Sequence, residues 1–112
     1  MSCRGLPSVS HVELKGLLSE KKVVVVDFYA DWCIPCKVVD DMLLRVEKLF
    51  ERYDSVCFVK VNVDTEKEVA AEYDVLGLPT VIVFAAGKEV KRYTGVPRSL
   101  ISDLAATVKS LL

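Results

Sequence analysis

The 112-residue chain predicts an α/β fold, a central mixed β-sheet flanked by helices on both faces. Three observations carry that reading. Apolar runs of strand length alternate with segments of helical periodicity. The runs are rich in valine, as strands buried on both faces require. The last two runs are separated by Ala86-Gly87, a tight antiparallel connection.

Taken in order, Ser10 and Glu13 form a capping box ahead of Val12, Leu14, Leu17 and Leu18, so a first helix ends near Glu20. Val23 to Tyr29 follows as a buried strand. From Ile34 the apolar residues Val39, Met42, Leu43, Val46, Leu49 and Phe50 recur at helical spacing. Cys57 to Val63 is the next strand, and Thr65 with Glu68 suggests a second capping box for a helix that stops near Gly77. Val81 to Ala85 and Lys88 to Thr94 form the hairpin. Leu100, Ile101, Leu104, Ala105, Val108 and Leu111 give an amphipathic terminal helix. The order is βαβαββα behind an N-terminal helix, in a single domain spanning 1–112 whose residues 1–8 read as a mobile segment.

Composition excludes several classes of function. The formal charge is −1, with no basic stripe or interleaved aromatics, so nothing points to nucleic acid. Met1 to Ser10 lacks the pattern of a signal peptide and no apolar stretch approaches bilayer length, which predicts a cytoplasmic protein without a membrane span. Glutamine is absent and Asn62 is the single asparagine, while charged residues make up 28% of the chain. Such depletion of thermolabile amides is a thermophile tendency.

The chemistry is concentrated in Trp32-Cys33-Ile34-Pro35-Cys36-Lys37, between a buried strand and a helix. Disulfide geometry needs Cα atoms roughly 4.4–6.8 Å apart, which positions i and i+3 on a first helical turn satisfy with little distortion. A cysteine at a helix N-terminus faces unpaired N–H groups and the positive end of the macrodipole, which favour the thiolate. Cys33 is therefore the expected nucleophile, and Cys36, a turn further in, the resolving thiol. Pro35 fits the first turn, where its missing N–H costs nothing. A zinc half-site is the alternative, but Cys3, Cys57 and His11 do not supply a second ligand pair.

Asp27 is the second unusual residue. Val23, Val25, Asp27 and Tyr29 share one strand face, so a carboxyl stands where its neighbours predict burial and a raised pKa. Cys57, in an apolar strand, reads as a buried structural thiol. Cys3, near a terminus expected to be mobile, has no predicted partner.

Three ordered motifs now carry a resemblance. Val25-Asp27-Phe28-Tyr29-Ala30 runs into WCIPCK, Gly77-Leu78-Pro79-Thr80 opens an apolar strand, and Gly95 follows the last strand. Over roughly residues 20 to 112 the chain resembles the thioredoxin family, and the resemblance implies the thioredoxin fold. It implies that Asp27 assists proton transfer at the resolving cysteine and that Lys60 modulates that acid. It also implies that Pro79 is cis beside the dithiol, and that Leu78 offers backbone hydrogen bonds to an extended substrate. With Trp32, Ile34, Pro35, Gly95 and Val96 this loop is expected to form a flat apolar contact patch for disulfide-containing proteins. The family also has a short first strand, which Gly5 and Pro7 oppose here.

Departures from the family pattern are Ile34 in place of the familiar glycine, Asp41 in place of a helix-kinking proline, and Tyr29 in place of a tryptophan. The activity implied is protein disulfide reduction, with a thioredoxin reductase as electron donor, no bound cofactor, no metal, and a monomeric protein. A disulfide oxidant or isomerase, and a binding module whose redox state is incidental, are the alternatives.

Overall fold

The computed structural model describes residues 3–112. Its elements are α1 (His11–Glu20), β1 (Val23–Tyr29), α2 (Ile34–Leu49), β2 (Val56–Asn62), α3 (Lys67–Glu72), β3 (Thr80–Ala85), β4 (Lys88–Thr94) and α4 (Leu100–Ser110). The four strands lie in the order β2-β1-β3-β4. β1 and β2 are parallel, and the β1–β3 and β3–β4 pairs are antiparallel. This is the mixed sheet that the alternation of elements predicts.

Strand alternation divides the core in two. Val23 and Val25 of β1 pack with Val39, Leu43 and Val46 of α2 and with Leu100, Leu104 and Val108 of α4. On the other face Val24, Val26 and Phe28 pack with Leu14 and Leu17 of α1 and Val69 of α3. A strand buried on both faces has no polar positions to alternate, hence the unbroken valine run. The Ser10 capping box forms as expected, with Ser10 accepting from the Glu13 N–H and Glu13 from the Ser10 N–H. At the hairpin, Ala86 (φ 51°) and Gly87 (φ 79°) both lie in the left-handed region, the geometry whose twist matches that of the flanking strands. α2 runs unbroken through Asp41.

Three expectations are corrected. Thr65 does not cap α3: its hydroxyl donates to the Asn62 carbonyl in the turn leaving β2. The N-cap is Glu66, which makes no side-chain capping bond, and the helix ends at Glu72 rather than near Gly77. β2 starts and ends one residue earlier than the apolar pattern suggests.

The N-terminal segment also differs, since residues 3–9 are held against the outer edge of β2. Leu6 is buried in the core, the Val9 N–H donates to the Lys60 carbonyl (2.9 Å), and the Lys60 N–H donates to the Pro7 carbonyl (2.9 Å). An open strand edge leaves backbone groups without partners, and this segment supplies them. It amounts to one bridge at Ser8 rather than a full strand, because Gly5 (φ 79°) and Leu6 (φ 57°) turn the backbone out of the extended region. Cys3 and Cys57 are joined in a disulfide, with Cα atoms 5.2 Å apart. Cys57 is thus no free thiol, and Cys3 has a partner 54 residues away.

Candidate active site

Parallel pairing of β1 with β2 brings the C-terminal ends of both strands to one pole, with Tyr29 opposite Asn62. β3 runs the other way, so its first residue, Thr80, lies opposite Phe28, and Thr80 in turn pairs with Thr94 at the end of β4. Four loops therefore meet at this pole: the dithiol loop, the loop after β2, the segment before β3 and the segment after β4.

Cys33 is the N-cap of α2, and its Sγ accepts the Cys36 N–H at 3.3 Å. The two cysteines form a disulfide with Cα atoms 5.4 Å apart, within the range that the i, i+3 spacing predicts. Solvent exposure does not separate their roles, being 4% for Cys33 and 2% for Cys36. The N-terminal N–H groups are placed unequally: one is aimed at the Cys33 sulfur, and a donor in that position stabilises a thiolate. Ala30 and the partly buried Tyr29, Val63 and Leu78 pack around the pair.

The residues of the expected contact surface lie around the dithiol loop and the segment before β3. The Leu78–Pro79 peptide is cis. Pro79 itself is buried, and its carbonyl accepts the Gly95 N–H at 2.9 Å, which fixes the segment after β4 beside it. Thr80 closes the turn from within by donating to the Gly77 carbonyl (2.6 Å). Trp32 and Ile34 stand out into solvent, 69% and 74% exposed, and Pro35 and Val96 are exposed beside them.

Two further residues of this surface escape the sequence pattern. Asp64 accepts the Trp32 indole N–H at 2.9 Å, and its own N–H is held by the Asn62 side chain (2.9 Å). Leu76 is 91% exposed just before Gly77. Nothing local marks either residue; the signal lies in the strand register that brings the loop after β2 beside Trp32.

Asp27 lies on β1, between Lys60 of β2 and Val81 of β3. It is fully buried, no N–H or hydroxyl donor among the described residues reaches either carboxyl oxygen, and the group within hydrogen-bonding reach is the Asp40 carboxyl, with which it can share a proton. Burial raises its pKa to about 9, the neighbouring Asp40 carboxyl pushes in the same direction, and Lys60 opposes both. Lys60 reaches Asp40 rather than Asp27, with Nζ 3.1 Å from Asp40 Oδ2 and 4.5 Å from the centre of the Tyr29 ring. The Tyr29 hydroxyl in turn bonds the Ser8 hydroxyl at 2.9 Å. Asp40 goes unnoticed in the sequence because an acid on an amphipathic helix is usually solvated. Its position four residues after Cys36, on the same helix face, is the clue that was available.

Among the described residues no group of three or more His, Cys, Asp or Glu side chains could hold a metal ion. No helix among the described residues is long and apolar enough to cross a membrane.

Comparison with known proteins agrees with this geometry. The thioredoxin family model matches residues 8–110. A thioredoxin of Mycoplasma genitalium is 42% identical over 93 residues, covering 82% of this chain and 88% of that protein. Thioredoxin-2 of Saccharomyces cerevisiae is 41% identical over 92 residues, covering 82% and 86%. A bifunctional thioredoxin reductase/thioredoxin of Mycobacterium leprae is 39% identical over 97 residues, which cover 85% of this chain and 21% of that longer protein. Among solved structures, a mutant thioredoxin from Halobacterium salinarum superposes with a TM-score of 0.81 at 28% identity, covering 99% of this chain and 95% of that one. With a Cys33–Cys36 disulfide at the start of α2 and these relatives, the chain belongs to the thioredoxin family and is a thiol-disulfide oxidoreductase that reduces protein disulfides.

Proposed function

We propose that Cys33 starts the reaction and Cys36 completes it. The Cys33 thiolate attacks one sulfur of a substrate disulfide, forming a mixed disulfide and releasing one substrate thiolate. Cys36 loses its proton, attacks the Cys33 sulfur, and closes the Cys33–Cys36 disulfide as the second substrate thiolate leaves. The substrate gains two electrons and the dithiol loses two. The observation that carries this assignment is the Cys36 N–H directed at the Cys33 sulfur.

Asp27 is the proton station of the cycle. At neutral pH its carboxyl is mostly protonated in the disulfide form, because burial disfavours the charge. That is the state needed for recharging: when an electron donor opens the disulfide, the Cys36 sulfur leaves as a thiolate and takes the Asp27 proton. In the reducing direction the proton returns. Lys60 tempers the acid, and Trp32, Ile34, Pro35, Leu78, Pro79, Gly95 and Val96 form the surface on which a substrate segment rests.

The same reading treats residues 1–112 as one domain, monomeric and cytoplasmic, recharged by a thioredoxin reductase. The bifunctional relative, whose name joins the two activities, supports that donor. A persistent Cys3–Cys57 disulfide fits a cytoplasm of the kind found in hyperthermophiles. The test is insulin reduction with mass spectrometry of trapped species. Cys33→Ser should abolish turnover, and Cys36→Ser should accumulate substrate bound at Cys33. Substrate trapped at Cys36 in the Cys33→Ser variant would reverse the roles.

A further inference from the structure

Three buried carboxyl oxygens, both of Asp27 and Oδ1 of Asp40, receive no N–H or hydroxyl donor among the described residues, and the two carboxyls stand within hydrogen-bonding reach of each other, so that one proton can bridge them. One cation is close to them. Lys60 is held from three sides: Asp40 Oδ2 at 3.1 Å, the Tyr29 ring below its ammonium at 4.5 Å, and backbone bonds from its N–H and carbonyl to Pro7 and Val9. The side chains of Lys60 and Asp40 are about a quarter exposed (24% and 23%), so this pair has contact with solvent that Asp27 lacks. The charged groups facing Asp27 are Asp40 from α2 and Lys60 from β2. From β3 its register partner is Val81, which carries no charge, and on its own strand the Tyr29 hydroxyl is engaged with Ser8.

Two carboxyls and one ammonium can reach neutrality in two ways. Either the cation pairs with Asp27 and the proton sits on Asp40, or the cation pairs with Asp40 and the proton sits on Asp27. The ion pair observed is the second. It also leaves the charge on the carboxyl nearer solvent, where ionisation costs less.

We propose that Asp40 is a positioning residue of the dithiol centre: it holds the Lys60 ammonium away from Asp27 and thereby directs the exchangeable proton to Asp27. Asp40 lies one helical turn beyond Cys36, so the helix that presents the resolving thiol also carries the group that keeps its proton source loaded. This inference rests on the proton role given to Asp27 above, and the two can be tested apart.

The decisive measurement is an NMR titration of the Asp27 carboxyl in the oxidised protein, where no cysteine titrates. Asp40→Asn removes a neighbouring negative charge and frees Lys60, and both changes favour ionised Asp27. Its acid constant should rise about tenfold or more, a downward move of at least one pH unit. Asp40→Glu should stay near wild type. Lys60→Met should move the titration upward, the opposite sign, which a general loosening of the fold would not produce. An Asp27 titration unmoved by Asp40→Asn, or moved equally by Asp40→Glu, would overturn the proposal. The pH profile of insulin reduction is read alongside. If the Asp27 titration shifts and the profile does not follow, Asp40 still positions the proton and it is the transfer role of Asp27 that fails.

Discussion

Replacing Asp27 by asparagine should make this protein more stable at neutral pH and leave that advantage absent in acid. The folded carboxyl titrates at about 9 against an ordinary value of 3.8. Between these values the native state binds a proton that the unfolded chain has released, so stability falls as pH rises from about 4 to about 9. At pH 7 roughly three pH units of that penalty have accumulated, on the order of 4 kcal/mol at 1.36 kcal/mol per unit. The amide's NH2 can donate to Asp40, but burying the rest of the amide returns about 1–3 kcal/mol of the gain. The net effect is a stabilisation of about 1–3 kcal/mol near pH 7, and at about pH 4 a variant no more stable than wild type. Urea unfolding of both oxidised proteins at about pH 4, 7 and 9 measures this directly, because the closed disulfides keep every cysteine from titrating. Equal differences in unfolding free energy at pH 4 and pH 7 would refute the reasoning: Asp27 would then carry no buried, elevated titration.

Cys3→Ser should lower stability by about 4 kcal/mol on the loop-closure estimate for a 54-residue separation. Thermal melting should register this as a drop of roughly 15 °C, with reduction of a small disulfide unchanged; an unshifted melting curve would mean that the cross-link restrains nothing. Alkylation after mild reduction should label Cys33 first, beside the exposed Trp32 and Ile34, while Cys57 stays protected inside the sheet in its disulfide with Cys3. Ile34→Gly removes an exposed apolar side chain from the contact patch, worth roughly 25 cal/mol per Å² covered by a substrate. Insulin reduction should therefore fall several-fold while the rate with a small aromatic disulfide stays close to wild type; equal losses would place the effect of Ile34 at the sulfurs instead.

The two disulfides do not exchange within one molecule. Cys57 pairs with Val24 near the start of β1, and the dithiol follows the end of that strand. Six residues of strand at about 3.3 Å each put them some 20 Å apart. A structural cross-link and a cycling one thus coexist at opposite poles of one sheet.

Much of this protein could be read from local pattern. The valine run, the Ser10 capping box, the Ala86-Gly87 turn and the periodicity after Ile34 each depend on interactions within a few residues, so spacing alone reveals them. Cys33 and Cys36 belong to this class, since a first helical turn sets their distance whatever the rest of the chain does. Burial of Asp27 was legible too, because strand alternation assigns its face.

What tertiary structure alone decided are the pairings between distant segments. Cys3 meets Cys57 because the outer edge of β2 needs backbone partners and the N-terminal segment provides them. Asp64 meets Trp32 because parallel β1 and β2 end at the same pole. Lys60 chooses Asp40 over Asp27 because α2 crosses the sheet with its fourth residue past Cys36 above β2. Thr65 looked like a cap and became a turn donor, since the end of β2 offered its hydroxyl a carbonyl first. In each case the residue type was compatible with several partners, and the sheet register determined which one came within reach.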